Sequence, residues 1–134
     1  MTLCAGLDIG TQGVKLVVLD AQADRIVATS THPLEMLSGP DGSREQRPEW
    51  WTAAVAACFS GIDAAIRRRI GAIGVSGQQH GFVPLDAAGN VLGPAKLWCD
   101  TSTQRECADI MSAAGGPARC IALAGNPVLA GYTA

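Results

Sequence analysis

A chain of 134 residues that is 48% hydrophobic, with ten Lys and Arg against twelve Asp and Glu, has enough apolar material for a core and a net charge of only −2. That balance gives no electrostatic reason to bind nucleic acid or an anionic membrane surface, and no apolar run approaches the roughly 20 residues of a membrane-spanning helix. The N-terminus has no charged segment followed by an apolar stretch and a cleavage site, so export is not expected and a cytoplasmic location is.

The first element is an apolar run of strand type that enters Gly6-Leu7-Asp8-Ile9-Gly10-Thr11-Gln12-Gly13-Val14-Lys15, and Val14 to Leu19 leaves it as a second strand. Between them an aspartate and two glycines make a tight reversal. Glycine lets backbone N–H groups approach an anion closely, Thr11 and Gln12 add a hydroxyl and an amide, and Lys15 adds a positive charge, so a phosphate fits there. Asp8 suits a hydrated magnesium ion, which prefers carboxylate oxygens. The same pattern also fits an ordinary hairpin turn. It is neither a G-x-x-x-x-G-K-[ST] loop nor a G-x-G-x-x-G opening a helix.

The spacing Asp8-x-Gly10-Thr11-x-x-x-Lys15 between two N-terminal strands resembles the phosphate loop of the actin-like ATPase superfamily, in the form carried by sugar kinases of the FGGY type. The resemblance implies ATP and Mg²⁺ as cofactors. It implies contacts to the nucleotide phosphates from Gly10, Thr11, Gln12, Gly13 and Lys15, and makes Asp8 both the metal-holding and a catalytic residue.

Further along, residues 20–24 form a polar turn and Arg25 to His32 a third strand ending at Pro33, which completes an antiparallel meander. Leu34 to Gln46 contains Ser38-Gly39-Pro40-Asp41-Gly42-Ser43 and reads as a surface loop. A long helix is expected from Pro48, with proline at its first position and Glu49 at the positive end of its dipole. Trp51, Val55, Cys58, Ile62 and Ile66 would form its buried stripe, and Arg67-Arg68-Arg69 its solvated end. Arg47 is a poor cap for it.

Ile70 to Val75 reads as a fourth, buried strand. Meander, helix and strand in this order match the ribonuclease-H-like half from which actin-like ATPases are built. The resemblance therefore implies an α/β fold: a partial actin-like ATPase N-terminal domain, with a mixed sheet of antiparallel meander plus parallel strands and flanking helices.

Ser76-Gly77-Gln78-Gln79-His80-Gly81 follows the strand, where open α/β sheets bind ligands. A histidine in a turn is also compatible with a structural or merely exposed role. Gly77-Gln78-Gln79-His80-Gly81 resembles the Gly-Gln-x-His-Gly motif of the xylulose kinases within the family, which implies sugar contacts from Gln79 and His80. Glycerol kinases carry an Arg-Glu pair at these positions and fit less well.

Ala95 to Asp100 is expected as a short strand ending in a carboxylate, and Trp98-x-Asp100 resembles the family's Trp-x-Asp sugar motif. An aromatic ring meets the C–H face of a sugar and a carboxylate its hydroxyls, if both point the same way. A core tryptophan and a helix-capping aspartate remain open, because Thr101, Thr103, Gln104 and Glu106 stand at capping spacing. Two helices follow, one from there to about Ala114 before Gly115-Gly116, and one from Pro117 to Leu123 before Gly125-Asn126-Pro127. The closing segment Gly125 to Ala134 resembles one that skirts the sugar pocket in these kinases. Cys4, Cys58, Cys99, Cys107 and Cys120, without a C-x-x-C pair, read mostly as small buried hydrophobes in a reducing compartment, with neither disulfide nor zinc site expected.

The resemblance implies that residues 1–134 are the N-terminal part of the first of two actin-like domains, with the nucleotide-holding second domain and the catalytic-base aspartate outside this sequence. The implied reaction of the full-length enzyme is ATP-dependent phosphorylation of a ketopentose, D-xylulose first, the chain alone being inactive. Ribulose, gluconate or glycerol as substrate, or a non-catalytic sugar-binding module, are the alternatives. A fragment would leave apolar faces uncovered, so self-association or a homodimer is expected.

Overall fold

The computed structural model describes residues 2–131, and the chain divides into two compact units. The first comprises the residues up to Glu35 with Arg47–Gln78, the second Met36–Gln46 with the residues from Gln79 onward. Tyr132, Thr133 and Ala134, the end of the expected pocket-skirting segment, lie outside the described residues.

In the first unit, β1 (Leu3–Ile9), β2 (Gly13–Asp20) and β3 (Arg25–Pro33) form the expected antiparallel meander. α1 (Pro48–Ser60) then crosses to β6 (Ile70–Gly77), which pairs parallel to β1, giving the order β3-β2-β1-β6. The alternation of β1 and β2 puts Leu3, Ala5, Leu7, Val14, Leu16 and Val18 on one face, where Ala54, Cys58 and Ile62 complete a core of buried residues. The opposite face, with Cys4, Gly6, Asp8 and Lys15, is exposed.

Two expectations are corrected here. The long helix is broken: α1 ends at Gly61, whose N–H donates to the Ala57 carbonyl, and a separate α2 (Ala64–Arg67) starts from Asp63, whose side chain accepts the Ala65 N–H at 2.6 Å. Ile62 is buried in the break, with Cys58 before it, and Ile66 packs against the same core from α2. The apolar stripe thus runs through the interruption and hides it. Pro48 does open α1, and Arg47 makes no side-chain cap. Strand β6, read as buried, is an edge strand with Ile73 and Val75 54% and 66% exposed. Its apolar composition reflects a sheet position, and α1 packs over β2 and β3 instead.

The second unit takes residues 36–46 of the expected loop, which contain β4 (Leu37–Ser38) and β5 (Arg44–Gln46), and β5 also pairs with β7 (Ala95–Lys96). The Ser38 to Ser43 composition marks only the tip of this small hairpin. The strand expected over residues 95–100 stops at Lys96 because Leu97 to Asp100 turns, the Asp100 N–H donating to the Leu97 carbonyl at 3.0 Å. α3 (Gln104–Ala113) and α4 (Pro117–Ala124) follow, with Cys107, Cys120 and Val128 buried together and Gly125 in the left-handed conformation closing α4. Of the five cysteines, Cys58, Cys107 and Cys120 are buried, whereas Cys4 is exposed.

Candidate functional site

In the first unit the register of three strands sets Lys15 of β2, Asp8 of β1 and Ser76 of β6 side by side, Asp8 being paired with both. Directly opposed residues in a sheet share a face, so the three side chains form one row on the exposed face. The Ser76 hydroxyl donates to Asp8 Oδ1 at 3.0 Å. Beyond the row, the Gly10 N–H donates to the Gly13 carbonyl at 3.0 Å and closes the bend, while the Gln12 carbonyl accepts from Leu34. Gly13 is required by close approach: a Cβ there would lie 2.8 Å from the His32 carbonyl oxygen. The Thr11 hydroxyl donates to Gln78 Oε1 at 3.0 Å, and the Gln78 N–H donates to the Ile9 carbonyl. Asp8, Thr11, Lys15 and the Gly10–Gly13 bend are thus brought together at one end of the sheet, with Ser76 and Gln78 beside them. Local pattern gives Ser76 no role; its signal is its place at the end of the fourth strand, level with Asp8.

The second unit holds the other four candidates. Gln79 and His80 are exposed, and His80 has φ +60°, a left-handed backbone that histidine adopts more readily than most residues at a cost of about 1–3 kcal/mol. Two residues later, Phe82 and Lys96 exchange backbone hydrogen bonds as an antiparallel bridge. Trp98 stands two residues beyond Lys96, so the bridge brings His80 and Trp98 to the same end. Trp98 is 43% exposed. Gly131, at φ +79°, packs so closely on the Trp98 carbonyl that a side chain there would collide with it.

Asp100 is placed differently from its motif partner: the turn after β7 sends Trp98 outward and Asp100 inward, where it is 2% exposed. Its Oδ1 accepts the Ser102 N–H at 2.9 Å and the Ser102 hydroxyl at 2.6 Å; its Oδ2 accepts the Arg44 N–H at 2.8 Å. The Lys96 ammonium lies 3.4 Å from Oδ2 and 3.3 Å from Glu45. Asp100 therefore ties β5, β7 and the approach to α3 together, three residues short of the cap position, which Thr103 holds without a side-chain cap. Burial disfavours its charge, but the Ser102 hydroxyl, the Arg44 and Ser102 amides and the Lys96 charge outweigh that and hold the carboxyl below its usual value. Burial likewise works against the Lys96 charge, and Asp100 with Glu45 overcomes it and raises the ammonium above its usual value.

Residues 3–134 match the family model described as the FGGY family of carbohydrate kinases, N-terminal domain. The chain belongs to this family. The xylulose kinase of Haemophilus influenzae is 34% identical over 96% of this chain, and that of Escherichia coli 37% identical over 96%. The chain spans about a quarter of these relatives, 28% and 26% of their lengths. Among solved structures, the "xyloylose kinase" of Brucella ovis superposes with a TM-score of 0.83 at 35% identity, covering 98% of this chain and 27% of that one. The architecture of the FGGY kinases, the actin-like ATPase fold, is thus the one this chain adopts.

Of the row, the Asp8 carboxylate is the kind of oxygen ligand that suits a hydrated magnesium ion. Asp8 offers an exposed carboxylate, and among the described residues no group of three or more His, Cys, Asp or Glu could hold a metal by itself. A single carboxylate suits an ion that keeps its waters and is carried by phosphates. No helix among the described residues is long and apolar enough to cross a membrane.

The charge of Asp100 yields a test. Its folded value is depressed below the unfolded one of about 3.9, so its stabilisation is complete above about pH 5 and is lost as pH falls through the folded value. Asp100→Asn is expected to cost about 1–3 kcal/mol at neutral pH and to flatten the acid limb of stability in urea denaturation. An unchanged acid limb would remove Asp100 from this role.

Proposed function

We propose that this chain belongs to an ATP-dependent kinase that phosphorylates a primary hydroxyl of a ketopentose, D-xylulose, and that it forms the N-terminal part of the first of two actin-like domains. The observation that carries the substrate is the naming of its 34% and 37% identical relatives as xylulose kinases. Gln79 and His80, an amide and an imidazole in an exposed glycine-flanked turn, suit the hydroxyls of an uncharged polyol. Trp98 offers an aromatic face to the sugar's C–H surface. Asp100 serves that pocket through the turn it holds.

Magnesium bound with ATP would neutralise charge on the transferring phosphoryl group. Asp8 would hold that ion through its waters, phosphate oxygens would lie against the bend of Gly10, Thr11, Gln12 and Gly13, and Lys15 would add positive charge. The base that takes the sugar proton, and the adenine contacts, belong in this proposal to the later part of the protein. Self-association of the 134-residue chain is part of it as well, supported by the exposed Ile73 and Val75 on an edge strand.

In the full-length protein, Asp8→Asn is expected to lower kcat by on the order of 10²-fold with little change in sugar affinity, and undiminished turnover would refute the metal role. His80→Ala is expected to weaken D-xylulose binding by up to about tenfold in calorimetry, with unaltered affinity, or a panel preference for ribulose, gluconate or glycerol, counting against the assigned pocket. Light scattering of the isolated chain should show mass rising with concentration; a constant monomer mass contradicts the self-association.

A further inference from the structure

The same-face neighbours of Asp8 one step back along the sheet are Gly6 on its own strand and Gly74 on β6, which are paired in register. A Cβ built on either would meet nothing within 4 Å, so in the first unit no side chain from these positions walls the carboxylate in. An exposed aspartate in such an opening is free to sample its rotamers. The hydrogen bond from Ser76 Oγ to Asp8 Oδ1, at 3.0 Å, opposes that freedom. It leaves Oδ2 outside that bond, on the side of Gly10, where a Cβ would lie 3.9 Å from it. Gln78, two residues on, does the equivalent for the bend by accepting from Thr11 Oγ1.

We infer that Ser76 is a positioning residue: its hydroxyl fixes the Asp8 carboxylate in the orientation that receives metal-bound water. This rests on the reading of Asp8 as the magnesium-holding residue. The hydroxyl engages one carboxylate oxygen and cannot itself replace it, so the loss should appear in metal affinity and in the metal dependence of turnover, not in sugar binding.

The test uses the full-length protein with Mn²⁺ and a non-hydrolysable ATP analogue, reading free Mn²⁺ by electron paramagnetic resonance. Ser76→Ala is expected to weaken Mn²⁺ binding roughly 3- to 10-fold and to raise the Mg²⁺ concentration for half-maximal rate by a similar factor, with the KM for D-xylulose unchanged. Ser76→Thr, which keeps the hydroxyl and suits a strand, should restore both. Wild-type Mn²⁺ affinity in Ser76→Ala, beside weakened binding in Asp8→Asn, overturns the positioning role while sparing the metal reading. Wild-type affinity in Asp8→Asn overturns both. A loss that Ser76→Thr fails to restore overturns the inference too, since the hydroxyl would then not be the cause.

Discussion

Strand β1 is hydrogen-bonded along both edges, antiparallel to β2 and parallel to β6, and this double register decides what the first unit can do. With both neighbours fixed, the alternation of β1 has one solution: Leu3, Ala5 and Leu7 go into the core with Ala54, Cys58 and Ile62, and Asp8 comes out on the opposite face. A slip of one residue would bury the carboxylate and expose the core, which makes the register hard to shift. The row of Lys15, Asp8 and Ser76 follows from that constraint, and the Gly10–Gly13 bend closes it at the strand ends.

The two units handle different chemistry by different means. The first presents charge on an open sheet face, where exposure leaves a carboxylate available to a hydrated cation. The second buries its carboxylate. Asp100 accepts bonds from two backbone amides and a hydroxyl beside an ammonium, a geometry that orders a turn on which Trp98 stays exposed. Removing one partner from such a buried set costs more than the bond itself, because the remaining polar atoms lose water and partner together.

The meander was legible because β1 and β2 alternate cleanly and Gly, Asp and Pro punctuate them. Pro48, Gly115-Gly116 and Gly125 marked helix ends for the same local reasons. The break at Gly61 was not legible, since Cys58, Ile62 and Ile66 keep helical spacing through it; the aspartate at 63 was the available sign. Nor was the exposure of β6, because Ile73 and Val75 have the same composition at a sheet edge as at its centre. In the site, Asp8 and its bend could be named from spacing and resemblance. Ser76 could not be given a role without the parallel register, and the inward turn of Asp100 depends on contacts with Arg44, 56 residues away in sequence. Side chains that act across distant segments leave little trace in local pattern.

Whether the row around Asp8 exists to manage metal-bound phosphate is open to direct observation in crystals of the full-length protein grown with Mn²⁺ and an ATP analogue. An anomalous map at the manganese edge should place the ion about 2–5 Å from the Asp8 carboxylate, bound directly or through one water, with phosphate oxygens at the Gly10–Gly13 bend. A fully occupied manganese site away from Asp8, with that carboxylate contacting only protein, would contradict the account.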